Sequence, residues 1–257
     1  MELYPISRAR SKRFVADYHY AIHSKSFTAC HLGLFEETEL IGACQLGWGT
    51  RPRHTIQLLF PSLDTKDYYE ISRLCLLPEM PHNSETQFIR LCLNWLRYNH
   101  PERKVIFTWA DGLRGKPGYI YQASNFSYGG YIWSEFYTTE DGEVVHPRLL
   151  VSRYGGRSRS RTQELGLIKY WGKQFRYIKF LCSHAERKRL LAESPVDWGQ
   201  QYPKHSDLEW FRQAGEGSRE SCQLPMLKGL GQFQEPAPML ELLAQRRISE
   251  VSLPLRS

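Results

Sequence analysis

EISRLCLLPEMPHNSETQFIRLCLNWLRYNHPERKVIFTWADGLRGKPGYIY, residues 70–121, decides how this chain folds. It opens inside YEISRLCLL (69–77), part alternating and part continuously apolar, which predicts a strand that Pro78 and Pro81 end. Ser84 followed by Gln87 fits the capping-box pattern. Phe88, Leu91, Cys92, Trp95 and Leu96 then recur at helical spacing along one face. Asn99-His100-Pro101 stops that helix. KVIFTW (104–109) is short and β-rich and predicts a buried strand running to Asp111. A glycine-bearing loop, residues 111–118, leads into a short helix at 119–124.

Outward from this unit, HLGLF (31–35) and LIGACQL (40–46) flank Glu36-Glu37-Thr38-Glu39 and predict a hairpin. Downstream, residues 131–138 and 144–151 read as two strands around an Asp141-Gly142 turn. Strand, strand, strand, helix, strand, helix, strand describes a mixed α/β sheet layered with helices. After about residue 205 the pattern weakens and Gly, Pro and Ser become frequent, with 239–247 the one helical stretch. The expected organisation is one main domain at 1–205 and a loosely organised appendage at 206–257.

At 257 residues the chain is long enough to bury a core without disulfides. The formal net charge is +7, and its placement is informative. Residues 148–179 hold nine Lys and Arg against one acid, a net +8, which leaves −1 for all the rest. An anionic partner is therefore expected at one segment rather than everywhere. Six cysteines occur without a CxxC pair, as in a reduced cytoplasmic protein. No run of 18 apolar residues predicts a membrane helix, and MELYPISRARSKRF lacks the apolar core of a secretory signal.

Several chemistries are excluded by their missing motifs. There is no GxxxxGK[ST] phosphate loop, and GWG at 47–49 is followed by no helix pattern, so it is no dinucleotide fingerprint. HExxH and GxSxG are absent, as is the acidic-Pro-Pro-Tyr tetrapeptide of amino-methylating DNA methyltransferases. His19 and His23 stand four apart, a spacing that places two imidazoles on one helix face. Asp17 is their one nearby acid, so no metal site is predicted, and a single polar histidine beside a ligand pocket is preferred.

The strand–helix–strand–helix order of residues 70–121 resembles the core of the GNAT acyltransferase fold. The fold class expected from it is a GNAT-like central mixed β-sheet flanked by helices, with a basic C-terminal extension. One departure stands out. Met80-Pro81-His82-Asn83-Ser84 replaces the glycine-rich pyrophosphate loop, and no glycine lies between Gly49 and Gly112.

Four stretches narrow the resemblance further. They are HYAIHS (19–24) with HLGLF (31–35), ISRLCLLPEMPHNSETQF (71–88), WADGLRGKPGYIYQASNF (109–126), and YGGRSRSRTQELG (154–166) with KQFRYIKFL (173–181). By motif and order, over about residues 15–205, the chain resembles the Mom family of phage DNA-adenine modification proteins. The resemblance implies a GNAT-like enzyme that converts adenine in DNA to N6-carbamoylmethyladenine and so protects phage DNA from restriction. Two rival readings remain: a GNAT N-acyltransferase acting on a protein or small amine, and a non-catalytic nucleic-acid-binding protein.

Each candidate site residue has a plainer reading beside the functional one. Arg73, in the stretch that matches the family's SRL motif, would anchor a donor or substrate phosphate, or else form a surface ion pair. Asn83 and Ser84 open a helix whose start favours anions, so they would bind the donor, or merely cap the helix. Asp111 at a strand end would orient or deprotonate the attacking amine, or form an Asx-turn before Gly112. Tyr121 would protonate a leaving group, as the helix tyrosine does in many GNAT enzymes, or pack the core. His19 and Tyr20 would hold or stack on the adenine, which must leave the duplex to reach a cleft.

For double-stranded DNA the candidate contacts are Arg153, Arg157, Ser158, Arg159, Arg161 and Lys173, where guanidinium forks and hydroxyls alternate after Gly155-Gly156. The plainer reading is a solvated charged loop. The residues name no donor; the expectation is an activated glycyl group, such as glycyl-tRNA. The competing donor is acetyl-CoA-like, with a redox metal near His19. The partners expected are thus DNA and a tRNA or acyl-CoA donor, without a membrane. The sequence leaves the oligomeric state open, a homodimer included.

Overall fold

The structure is a computed structural model that describes residues 1–20, 27–49, 52–215, 217–225 and 227. In chain order its elements are β1 (Glu2–Pro5), α1 (Arg8–Tyr18), β2 (Thr28–Glu36), β3 (Glu39–Gly47), α2 (Ile56–Leu59), β4 (Tyr68–Leu76), α3 (Ser84–Asn99), β5 (Val105–Asp111) and α4 (Tyr119–Ala123). There follow β6 (Ser127–Thr138), β7 (Val144–Val145), α5 (Pro147–Tyr154), α6 (Arg159–Glu164), β8 (Ile168–Phe180), α7 (His184–Glu193), β9 (Trp210–Gln213) and β10 (Arg219–Cys222). They make a mixed β-sheet flanked by helices, as the alternation of strand and helix patterns predicts.

The chain divides into two compact units. The first comprises Met1–Asp111, Lys116–Ile132 and Gln174–Asp207. In it β1 to β5 stand side by side in chain order, with β8 against β5. The neighbours are antiparallel except β4 and β5, which run parallel and so require the α3 crossover between them. The hairpin expected at 31–46 is β2 and β3, joined at a turn where Glu37 takes φ 52°. Ile56, Phe60, Tyr68, Val105, Phe107, Ile178 and Leu190 form one buried cluster, the reason α2 and α7 stay on the sheet. At about 1.5–3 kcal/mol for each such side chain, this burial is the main force holding the strands in place.

The α3 helix occupies its expected residues but differs at its start and its face. Asn83 is the residue before the helix, left-handed at φ 70°, and its side chain makes no capping bond. Ser84 is the first helical residue and is buried, so the Ser84–Gln87 capping box does not form. The cause is a turn in which the Ser84 amide donates to the Pro81 carbonyl at 3.1 Å, which starts the helix one residue earlier than the pattern implies. The buried face is Phe88, Ile89, Cys92, Leu93 and Leu96, while Leu91 and Trp95 are only half-buried.

The second unit comprises Gly112–Gly115, Trp133–Lys173 and the residues from Leu208. Its core is Tyr137, Val145, Leu150, Tyr154, Leu165 and Leu167. Residues 147–151 are helical, not the second half of a strand. Pro147 fits the first helical position, and the His146 ring accepts from the Arg148 amide at 3.1 Å. The basic segment is likewise no flexible loop. Gly155, at φ 74°, ends α5. The Ser158 hydroxyl then accepts from the Arg161 amide at 3.4 Å and starts α6, and residues 168–179 lie within β8. Past residue 205 the chain still contributes order, because β9 pairs with β8 and β10 with β9. The helical stretch expected at 239–247 lies outside the described residues.

Candidate active site

The parallel pairing of β4 with β5 runs from Tyr68–Val105 to Ile71–Thr108 and ends there. Beyond it β4 stays with β3 as far as Leu76, and β5 stays with β8 as far as Asp111. The two strands therefore part, and a fork opens between them. Thr108 ties the fork's root, its hydroxyl donating to the Ile71 carbonyl at 3.3 Å. One residue into the opening, β4 bulges: Gln45 pairs with Arg73 and Leu46 with Ile71, so Ser72 is skipped. The Ser72 hydroxyl is buried and meets no hydrogen-bond partner among the described residues.

Arg73 follows the bulge and donates to the Ser72 carbonyl at 2.6 Å. Burial lowers its pKa, while Tyr20, Asp111 and Glu70 work in the opposite direction and hold it cationic. A residue after α1, one on β4 and one at the end of β5 thus act on a single guanidinium. Tyr20 stacks on His19 with centroids 4.3 Å apart and planes 28° apart. The Lys116 ammonium lies 4.3 Å from the Tyr20 ring centre. His19 is buried just past α1, where its amide donates to the Val15 carbonyl at 2.9 Å. The helix ends at Tyr18, so His19 follows it, and His23 lies outside the described residues.

Asp111 is half-buried at the last position of β5, and its carbonyl accepts from the Lys116 amide at 3.1 Å, closing the loop that carries Lys116 back. Gly118, at φ 99°, then turns the chain into α4, and a Cβ there would come 2.6 Å from the Tyr177 ring. Tyr121 on α4 is buried and hydrogen-bonded to Thr108, and desolvation pushes its phenol up to about 12. It also packs against Phe126 and Tyr177, each at 5.5 Å, so it belongs to the core as well as lying beside Thr108 at the fork's root. The Gln122 amide fixes α4 by donating to the Tyr177 hydroxyl at 3.0 Å and to the Pro203 carbonyl at 2.9 Å.

Two residues escaped sequence reasoning. Glu70 is buried on β4, and a Cβ at Gly49 (φ 68°) would collide with its carboxylate. A lone acid in a largely apolar strand was its signal. Lys116 had no signal, since only the loop closure at Asp111 brings it to Tyr20. Asn83 and Ser84 stand at the start of α3, and none of the described interactions joins them to the Arg73 group.

The basic candidates are mostly engaged within the second unit. Arg157 and Lys169 both pair with Glu135, the latter at 2.6 Å. Arg161 pairs with Glu164 at 2.6 Å. Lys173 is buried, with its ammonium 2.8 Å from Glu209. Ser158 caps α6, and Arg159 is half-buried. The Arg153 side chain lies outside the described residues. Among the described residues no three or more His, Cys, Asp or Glu side chains are grouped to hold a metal ion, and no helix is long and apolar enough to cross a membrane.

The model of the Mom protein family matches residues 1–204. The chain belongs to the Mom family. It is 33% identical over 191 residues to a protein of Escherichia phage Mu named methylcarbamoylase mom, covering 72% of this chain and 76% of that one. Among solved structures it is similar to an aminoglycoside 6'-acetyltransferase of type Ii, with TM-score 0.41, 10% identity, and 72% of this chain and 99% of that one covered. It is also similar to an aminoglycoside acetyltransferase in complex with coenzyme A and kanamycin, with TM-score 0.38, 14% identity, and 73% and 98% covered. These structural likenesses are loose, and the fold rests on the strand order and the fork themselves. The β9–β10 hairpin of this Mom family member lies beyond the matched residues.

Proposed function

We propose that this chain is a DNA-modifying transferase that converts adenine in DNA to N6-carbamoylmethyladenine in the host cytoplasm. One observation carries the reading: in a member of a family with a methylcarbamoylase relative, Arg73, Asp111 and Tyr20 converge where the β4–β5 fork opens. Asp111 takes a proton from the adenine N6 as it attacks. Arg73 stabilises the oxyanion or a donor phosphate. Tyr121, protonated at neutral pH, returns a proton to the leaving group. His19 and Tyr20 hold the flipped base.

An acyl donor, when bound, supplies an activated carbonyl carbon. The fork fits its reacting end, because the buried Ser72 hydroxyl has a hydrogen bond still to make there. At the other end Asn83 takes the left-handed turn that a glycine-rich loop would otherwise supply. The donor is an activated glycyl ester or thioester. N6 displaces its leaving group to form a glycyl amide, with one N6 proton going to the departing group. The free glycyl amine then attacks C6 through a five-membered ring. The bond from C6 to the original nitrogen breaks, and that nitrogen becomes the terminal carboxamide. No oxidant or reductant is consumed, and the fold is asked only for acyl transfer.

The test is nuclease digestion and mass spectrometry of DNA from cells expressing the chain. Deoxyadenosine heavier by one glycyl residue, with nitrogen-15 from the exocyclic position now in the carboxamide, supports the reading. Label still bonded to C6 overturns the rearrangement. Unmodified DNA overturns the reading and favours an acyltransferase of another amine or a binding protein.

A further inference from the structure

We infer that α1 is the surface that grips the phosphate backbone of duplex DNA beside the target adenine; this rests on the reading above. Arg8, Arg10, Lys12 and Arg13 lie within the helix's first six residues and are all exposed. Its first turn holds no acid, and Asp17 is the helix's one carboxylate. This is an unfavourable arrangement for a helix by itself. Cations at the N-terminal end oppose the helix dipole, and like charges at Arg8–Lys12 and Arg10–Arg13 repel across one turn. The helix is held by Ser7, whose hydroxyl accepts from the Arg10 amide at 3.2 Å, and by burial of Phe14 and Val15. Four cations kept exposed at that cost suit an anionic partner.

The location fits DNA. Past its last turn α1 runs into His19 and Tyr20, and at about 1.5 Å of rise per residue Arg13 stands about 9 Å along the axis from His19. The cations therefore flank the base-holding pair within the same unit. The Arg10 guanidinium is already steadied over the Phe35 ring at 5.0 Å, which limits the side-chain ordering left to occur on binding. Lys12 and Arg13 make no ion pair among the described residues, whereas Arg157, Arg161 and Lys173 are each matched to a glutamate. The positive field reaches inward as well: after burial, Arg8 and Lys12 are the next causes of the lowered pKa of His31.

The experiment uses the full chain and a fluorescent duplex, with Kd measured across a salt series. Lys12→Ala with Arg13→Ala should weaken binding about tenfold and flatten the slope of log Kd on log salt by about 0.9 per lost phosphate contact. Arg13→Lys should keep most of the slope. Circular dichroism should be unchanged, since the substitutions only remove repulsion. An unchanged salt slope in the double variant overturns the inference, as does loss of donor binding instead of DNA binding. A wild-type chain that marks DNA in cells yet shows no α1 dependence of binding leaves the function standing and this surface refuted. Unmodified cellular DNA beside an α1-dependent slope does the reverse.

Discussion

Arg73 and Asp111 sit on opposite arms of the fork and are electrostatically linked, the carboxylate raising the pKa of a guanidinium that burial lowers. Neither arm alone would keep this arrangement. Without the β3 pairing, β4 would not hold Arg73 past the fork's root, and without β8, β5 would not carry Asp111 that far. In the proposed reaction Asp111 drives attack and Arg73 receives the charge that follows. Asp111→Asn should lower modification by about 100-fold or more while DNA affinity stays near wild type. Arg73→Met and Asp111→Asn should also couple in a double-mutant cycle by about 0.5–3 kcal/mol, read from thermal or denaturant unfolding. Strict additivity would mean that the two side chains do not act on each other.

Tyr121 offers a pH test. Desolvation holds its phenol near 12, above the ordinary tyrosine range, so the acid form persists at pH values where a solvated tyrosine has begun to ionise. The single-turnover rate should therefore show no alkaline fall around pH 10. Tyr121→Phe should keep the packing on Phe126 and Tyr177 and lower that rate about 10²-fold. A wild-type limb with an apparent pKa near 10 that vanishes in Tyr121→Phe would show the hydroxyl in water instead.

Local pattern made much of the fold legible. The β4–α3–β5–α4 order follows from apolar periodicity over residues 69–124, and the β2–β3 hairpin from two apolar runs around four polar residues. What escaped was set by tertiary partners. Asn83 rather than Ser84 precedes α3 because the amide of Ser84 is taken by a turn to Pro81. Residues 149–151 are an apolar run that reads as a strand end, yet Pro147 starts a helix that buries Leu150 and Tyr154. At the site, Asp111 was visible as an acid ending an apolar strand, whereas Arg73 and Tyr121 were marked by the family and fold resemblances. Lys116 was not, because its proximity to Tyr20 comes from a loop closure with no periodicity. The charge count marks residues 148–179, where Glu135, Glu164 and Glu209 pair with four of the cations, and it averages the exposed cations of α1 among acids elsewhere.

Lys173 and Arg157 separate a structural cation from an exposed one. Lys173 is buried, and its ammonium meets Glu209 on the stretch leading into β9. Lys173→Ala should lower stability by about 1–3 kcal/mol, because it leaves a cavity and a half-exposed carboxylate without its partner. Arg157 is exposed beside Glu135, which keeps Lys169 as a second partner, so Arg157→Ala should change stability by less than about 1 kcal/mol. Chemical denaturation of both variants checks this, and equal losses would contradict the burial difference.

His31 links the α1 cations to stability. It is buried on β2, and burial first, then Arg8 and Lys12, lower its pKa. The folded protein thus prefers the neutral ring, while the unfolded chain binds a proton near the ordinary value of about 6.5. Between the two the unfolded state holds more protons, so stability rises with pH. The contribution is present above about pH 6.5 and is lost as pH falls through the lowered folded value. Denaturation midpoints should therefore drop on acidification from pH 7 to 5. His31→Gln should remove this part of the slope. Lys12→Ala, which relieves only the repulsion, should reduce it without abolishing it, since burial is the larger cause. If Lys12→Ala and His31→Gln flatten the curve equally, charge on α1 rather than burial holds the ring neutral; if neither changes it, His31 is not the group that titrates.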